Sequence, residues 1–192
     1  MDFKKTLLIL LLSVLSAVSA FCAEPLPFDQ PTRPVAVKPD SGNFYYVEIS
    51  ISRNILTLYE KKSDGKRDPV AEYSVGTVVT GLKTYPLGLG EVTGIYFDPW
   101  WYPTSYSRQV FRARGIDLPA AVPPGHPLNY MGSFKIALSH STWKGAIYRI
   151  HGNNNPKRVG RRVTGGCVVM NNSDGIALAR RIKVGTVVNI VP

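Results

Sequence analysis

The sequence predicts a mostly β domain with one short helix. The chain has 192 residues, among them 17 glycines and 15 prolines, and this composition favours strands and irregular loops over a helical bundle. The length fits a single domain. Only residues 174–182 have a clear helical pattern, and Ser173 or Asp174 is suited to cap that helix at its N-terminus.

Residues 1–20 are predicted to be a secretory signal peptide. Two lysines precede a short apolar run that ends in Val18-Ser19-Ala20, whose small side chains suit cleavage. The run falls short of the roughly 20 residues that span a bilayer, which favours cleavage over a retained anchor. Residues 21–43 are rich in proline and are predicted to be an extended linker. Residues 44–192 remain for the folded domain.

Short segments in which apolar and polar residues alternate predict the strands. Residues 46–51 and 55–59 flank the polar turn 52–54, and together they predict a hairpin. Further strands are predicted, in chain order, at residues 70–79, 133–138, 146–150 and 184–191.

Residues 84–132 are predicted to be a long irregular excursion, because they contain a segment of aromatic residues followed by proline and a Pro-Pro-Gly segment. Such long loops are uncommon unless they line a site. We therefore expect residues 97–131, called the cap below, to cover a functional site.

Cys167 is the residue most suggestive of chemistry. Exported proteins usually hold their thiols in disulfides, but the only other cysteine is Cys22, next to the predicted signal peptide. Cys167 follows two glycines and lies sixteen positions after His151. A thiol in such a setting indicates a nucleophile with a nearby base. The alternative is a small apolar residue buried in a strand.

If the thiol is catalytic, each neighbour has a predicted role. His151 would act as base, and an imidazolium there would lower the pKa of the Cys167 thiol. The Gly165-Gly166 pair lets the backbone approach a substrate, and the N–H groups of Gly166 and Cys167 would stabilise an oxyanion.

The formal charge of +10 predicts attraction to acidic polymers. Nucleic acid is not an expected partner of an exported protein without a basic helix, whereas cell-wall peptides carry free carboxylates. The basic loop 157–162 is either a solvated loop or a site that captures such carboxylates. His126 and His140 have no cluster of ligating residues around them, so no metal site is predicted. His140 ends the strand before the one that carries His151, which allows, but does not predict, a position near the site.

The order of motifs resembles that of the YkuD-type L,D-transpeptidases, in particular the Gram-negative periplasmic branch of that family. In that family a His-Gly pair precedes Ser/Thr-x-Gly-Cys, and this chain has His151-Gly152 before Thr164-Gly165-Gly166-Cys167. Other matching motifs are Thr84-Tyr85-Pro86-Leu87-Gly88, Trp101-Tyr102-Pro103-Thr104, Gly115-Ile116-Asp117-Leu118-Pro119, Val122-Pro123-Pro124-Gly125, Asn129-Tyr130-Met131-Gly132 and Val184-Gly185-Thr186-Val187-Val188.

The resemblance implies a YkuD-like β-sandwich with the Cys and His under a capping loop. It implies that Cys167 is the nucleophile, that His151 is the general acid and base, and that the carbonyl of Gly152 orients the imidazole. The residues expected to contact substrate are Thr164, Gly165, Tyr130, Trp101 and Arg162. The aromatic ones either stack on substrate or form the interior of the cap.

The implied activity is peptidoglycan L,D-transpeptidation in the periplasm without a cofactor. Cys167 would take the acyl group of a tetrapeptide stem, release D-Ala and pass the acyl group to an amine of another stem, a lipoprotein or an outer-membrane protein. Carbapenems would acylate the same thiol. Two alternatives stay open: hydrolysis, as in an L,D-carboxypeptidase, and a non-catalytic wall-binding module of the same fold.

Two positions depart from the family pattern. Most members have His where this chain has Gly165, and Arg where it has Val169. The loss of the arginine bears on substrate handling more than on the nucleophile. Arg161 or Arg162 is a candidate to compensate for it.

Overall fold

The computed structural model describes residues 44–81, 85–141 and 148–192. The predicted signal peptide and linker, Cys22, Thr84 and the start of the strand predicted at 146–150 lie outside these ranges. None of the helices in the described part of the chain is long and apolar enough to cross a membrane.

The described residues form ten strands, numbered in chain order. They are β1 (Phe44–Ser50), β2 (Ile55–Lys61), β3 (Arg67–Ser74), β4 (Thr77–Val78), β5 (Gly88–Phe97), β6 (Phe134–Leu138), β7 (Arg149–His151), β8 (Arg162–Thr164), β9 (Val168–Val169) and β10 (Val187–Val191). Eight of them form one sheet in the order β3-β2-β1-β10-β5-β6-β7-β9, and β4 pairs with β8 separately.

The predicted hairpin is confirmed, since β1 and β2 pair antiparallel from Phe44↔Lys61 to Ser50↔Ile55. The last strand, β10, returns to the centre of the sheet between β1 and β5. It runs parallel to β1 and antiparallel to β5. The far end of the sheet is built by β6, β7 and β9, of which β7 and β9 are parallel.

The longest strand, β5, was predicted to be irregular, and that prediction is wrong. Three glycines in this ten-residue strand weaken its β propensity, which is why the sequence indicates a loop. Two of them are needed for close packing. A Cβ at Gly90 would lie 2.5 Å from the His140 ring, and one at Gly94 would lie 2.8 Å from the ring of Tyr96.

The structure has two α-helices, not one. The first, α1 (Ser105–Arg112), lies inside the cap and begins after Thr104, whose hydroxyl accepts from the N–H of Ser107 at 3.1 Å. The second, α2 (Asn172–Arg181), is the predicted helix, but it begins two residues earlier than expected. It packs on the sheet through Gly175, where a Cβ would clash with the ring of Phe134.

The buried apolar side chains fall into two clusters. The larger one lies on the sheet and under α2, and includes Phe134, Ile136, Ile150 and Leu178. The smaller one lies within the cap and consists of Trp101, Phe111, Leu118, Val122 and Met131. The mostly β fold is thus confirmed, with a cap that has an interior of its own.

Candidate active site

Two parallel strands bring the predicted nucleophile and base together. His151 is the last residue of β7, and Cys167 immediately precedes β9. In the β7–β9 pair, Ile150 faces Val168 and His151 faces Val169. Cys167 lies two residues before the residue that faces His151, so the alternation of side chains along a strand directs both side chains to the same face. The backbone of Arg149 also hydrogen-bonds to the Cys167 thiol.

The imidazole of His151 is fixed by its own neighbour. Its Nδ1 lies 2.7 Å from the carbonyl oxygen of Gly152. Because a carbonyl oxygen only accepts, this contact favours the tautomer with the proton on Nδ1, which leaves Nε2 as the nitrogen able to accept a proton. The Gly152 carbonyl thus contacts the imidazole as the implied orienting role requires, and the role itself stays a prediction.

Asn172 at the start of α2 holds the segment that follows His151. Its Oδ1 accepts from the N–H groups of Ser133 and Asn153 at 3.2 and 3.1 Å, and its Nδ2 donates to the Asn153 carbonyl at 3.0 Å. A Cβ on Gly152 would clash with the same Oδ1. Sequence patterns do not indicate this role, because the contacts join residues 19 and 39 positions apart.

The turn before Cys167 is closed by Thr164. The buried Thr164 hydroxyl donates to the carbonyl of Cys167 at 2.7 Å and accepts from the N–H of Gly166 at 3.3 Å. Thr164 therefore shapes the turn, and its contact with substrate stays a prediction. The bond also occupies the Gly166 N–H, which argues against the oxyanion role predicted for that group.

Gly166 is required for a different reason. Its φ of +141° is one that residues with a Cβ rarely adopt. A Cβ there would also lie 2.7 Å from the ring of Tyr148. Gly165, by contrast, is exposed with open space around it, so the backbone beside Cys167 is accessible on that side.

The protonation states differ from the expectation of a thiolate–imidazolium pair. Burial lowers the pKa of His151 to about 3, with the charges of Arg158 and Arg149 acting in the same direction and the hydrogen bond to the Gly152 carbonyl opposing them. Burial raises the pKa of the half-buried Cys167 thiol, against the opposing effect of the same two arginines. In the described part of the chain the thiol and the imidazole share no hydrogen bond. Both groups are neutral near pH 7, and the predicted depressed thiol pKa is wrong.

Two arginines that the sequence did not single out individually lie beside the thiol. Arg149 precedes His151 on β7, and Arg158 ends the short 3-10 helix Pro156–Arg158. The charges of both act on Cys167. By contrast, Arg161 is exposed, and the Nε of Arg162 donates to the Val78 carbonyl at 3.1 Å.

The cap meets the site through Tyr130. Its ring stacks on Trp101 at 5.1 Å and lies 5.1 Å from the guanidinium of Arg158, while its backbone contacts His151. Trp101 itself is buried among cap residues. Trp101 therefore forms part of the cap interior, and its contact with substrate stays a prediction, whereas the half-buried Tyr130 lies beside His151.

The structure places some candidate neighbours of Cys167 close to that residue and others far from it. Tyr85 and Pro86 line a small pocket with Gly166 and Val168, so the turn that precedes β5 reaches the Cys167 segment. His140 is remote, because His151 pairs with Lys135 at the opposite end of β6. The Nε2 atom of His140 lies 3.0 Å from the carbonyl of Gly88 instead.

No group of three or more His, Cys, Asp or Glu among the described residues is arranged to hold a metal ion.

Known proteins resemble this chain in sequence. YcfS and ErfK/SrfK of Escherichia coli (strain K12), both named probable L,D-transpeptidases, are 34% and 40% identical over 123 and 122 residues. Each alignment covers 57% of this chain and 37% of the relative, so the chain spans well under half of these relatives' length. The putative L,D-transpeptidase YkuD of Bacillus subtilis (strain 168) is 33% identical over 146 residues, covering 76% of this chain and 65% of its own.

Solved structures share the fold. The Bdellovibrio bacteriovorus protein Bd1075 matches with a TM-score of 0.53 at 16% identity, over 80% of this chain and 50% of its own. L,D-transpeptidase 3 from Mycobacterium tuberculosis, in complex with a faropenem-derived adduct, matches with a TM-score of 0.50 at 15% identity, over 79% and 61%. The sequence model of the YkuD family, described as the L,D-transpeptidase catalytic domain, matches residues 44–190. The chain therefore belongs to the YkuD family of L,D-transpeptidase catalytic domains.

Proposed function

We propose that this protein is an exported, periplasmic peptidoglycan L,D-transpeptidase in which Cys167 forms the acyl-enzyme and His151 transfers the protons. One observation carries the proposal. The His151 ring, neutral and held at Nδ1 by the Gly152 carbonyl, has an unprotonated Nε2 on the strand next to Cys167. Membership in the family supports the reaction type.

The neutral pair defines how the thiol is activated. Because the pKa of Cys167 is raised and that of His151 is lowered, no stored ion pair supplies a thiolate. His151 Nε2 instead removes the Sγ proton as sulfur attacks the substrate carbonyl, which is general-base catalysis. The attacked carbonyl belongs to the third residue of a tetrapeptide stem.

Each later step returns the proton that His151 accepted. The tetrahedral intermediate collapses by breaking the bond to the D-Ala nitrogen, and imidazolium protonates that nitrogen as it leaves. A thioester to Cys167 remains. An acceptor amine then attacks the thioester, its proton passes through His151 to the departing thiolate, and the free thiol is restored.

The acceptor determines the biological role. An amine of a second stem gives a cross-link, an amine of a lipoprotein or outer-membrane protein gives an anchored protein, and water gives carboxypeptidase activity. The bound adduct in the Mycobacterium tuberculosis structure supports the further proposal that β-lactams of the penem and carbapenem type acylate Cys167.

The test is D-Ala release from a purified disaccharide-tetrapeptide, followed with and without a diamino acceptor. Release that increases with acceptor and gives a cross-linked product supports transfer. Release without such a product identifies a carboxypeptidase. No release, together with retained binding of peptidoglycan that Cys167→Ala leaves unchanged, would replace the proposal with a non-catalytic wall-binding module.

A further inference from the structure

Resting on the function proposed above, we propose that Arg158 binds the free carboxylate of the terminal D-Ala of the donor stem. It thereby selects tetrapeptide stems and takes over the cationic role of the arginine that most family members carry where this chain has Val169.

The first argument is the unmet hydrogen-bonding capacity of Arg158. Its Nη1 is buried and has no hydrogen-bond partner among the described residues. A buried guanidinium N–H left without an acceptor is costly, and an oxygen atom of a ligand would satisfy it. No carboxylate pairs with this side chain in the described part of the chain, so its charge is available to an anion.

The second argument is where Arg158 lies. The carbonyl of Arg158 is 2.5 Å from the position of a Cβ on Gly76, and the Cβ of Val169 is 3.4 Å from that same point. Gly76 also exchanges two backbone hydrogen bonds with Val169, at 2.7 and 2.9 Å. The two positions are therefore close in space although eleven residues separate them. Val169 is fully buried and apolar, so the cation comes from the neighbouring loop.

The third argument is the set of groups that surround the Arg158 guanidinium. It lies 5.1 Å from the centre of the Tyr130 ring, and its charge acts on both Cys167 and His151. The contact with the ring of Tyr130, whose backbone hydrogen-bonds to His151, holds the guanidinium near that residue. None of the other basic residues in the loop 157–162 has these contacts.

The substrate offers an anion at the matching place. In a tetrapeptide stem, one carbon atom separates the terminal carboxylate from the nitrogen of the scissile amide. A cation beside the attacking thiol is thus within reach of that carboxylate. Guanidinium and carboxylate pair well because two parallel N–H···O bonds can form. A pentapeptide stem has a neutral amide at this point, and it would leave Nη1 without an anionic partner.

The test uses Cys167→Ala protein, so that binding is measured without turnover. Calorimetry compares a tetrapeptide stem with the same stem amidated at its terminal carboxyl. We expect the acid to bind about ten- to a hundred-fold more tightly than the amide, as fits a charge-assisted hydrogen bond. Adding Arg158→Gln should abolish this preference and leave the affinity for the amide unchanged. Arg158→Lys should restore only part of it, because the ammonium lacks the planar fork.

Arg161→Gln is the matched control, since it removes an exposed guanidinium from the same loop and should keep the preference. Three outcomes would overturn the inference: equal affinity for acid and amide, a preference that survives Arg158→Gln, or loss of both ligands in that variant. D-Ala release by the unmodified protein is measured separately. If release is absent while the preference is present, the proposed reaction fails and the carboxylate site stands.

Discussion

The two apolar clusters of this molecule differ in how far apart in the sequence their members lie. The sheet cluster joins strands and α2 through residues far apart in sequence, and many of its side chains are fully buried. The cap cluster consists of five side chains from one continuous segment. The sheet cluster positions Cys167 and His151, whereas the cap cluster positions Tyr130, which contacts both His151 and Arg158.

The difference indicates a division of labour. His151 lies on β7 and Cys167 immediately precedes β9, and these two strands are hydrogen-bonded in the large sheet. The surroundings of the pair come from the cap and the loop 157–162, which few long-range strand pairings restrain. Local stability varies in this way across proteins, and binding elements often lie at the less stable end. The same substitution should thus have different consequences in the two clusters.

The largest effect is expected for Phe134→Ala. Phe134 is fully buried in β6 and packs against Gly175 of α2. Its truncation should lower the free energy of unfolding by about 3–5 kcal/mol through lost burial and a residual cavity. Chemical denaturation would measure this change as a global transition. A loss below about 1 kcal/mol would show that the sheet cluster is not the main source of stability.

A more local effect is expected for Phe111→Ala in the cap. Phe111 is also buried, and its ring lies 6.1 Å from Trp101 and 5.1 Å from Tyr130. We expect faster hydrogen exchange in the cap, little change in the sheet and weaker substrate binding, because Tyr130 loses support. Hydrogen exchange by mass spectrometry would resolve the regions. If Phe111→Ala lowered the free energy of global unfolding as much as Phe134→Ala does, the proposed distinction between the two clusters would be lost.

The smallest expected effect concerns the reactivity of the thiol. Burial raises the pKa of Cys167, so the thiolate fraction grows only above the usual range of a free thiol, about pH 8.5. Alkylation by iodoacetamide should therefore be slower at pH 7 than for a free thiol, with a midpoint above that pH. A midpoint near pH 6 would instead indicate a thiolate–imidazolium pair with His151.

The sequence predicted those parts of the fold that repeat a simple pattern. Alternation located β1, β2 and β6 closely, and it placed the start of the closing strand three residues before Val187. It missed β5, because Gly90 and Gly94 are set by contacts with His140 and Tyr96 rather than by local propensity. It also missed α1, an eight-residue helix of which only Phe111 is buried and which lies inside the segment predicted to be irregular.

In the candidate site, too, local sequence patterns were informative and contacts between distant segments were not predicted. The motif around Cys167 and His151 identified two residues that the structure places on neighbouring strands, and their catalytic roles remain predictions. The positions of Asn172 and Arg158 depend on contacts between distant segments, so spacing in the sequence did not reveal them. The buried Trp101 and Thr164 were expected at the substrate because residue type alone does not distinguish a packed side chain from an exposed one.

The central claim is that Cys167 carries the acyl group. Intact-mass spectrometry of the purified protein, incubated with a disaccharide-tetrapeptide or with meropenem, tests it most directly when followed by peptide mapping. The account predicts a covalent adduct on the peptide that contains Cys167, absent from Cys167→Ala and strongly slowed in His151→Gln. An adduct located elsewhere, or none on the reduced and folded protein with either compound, would contradict it.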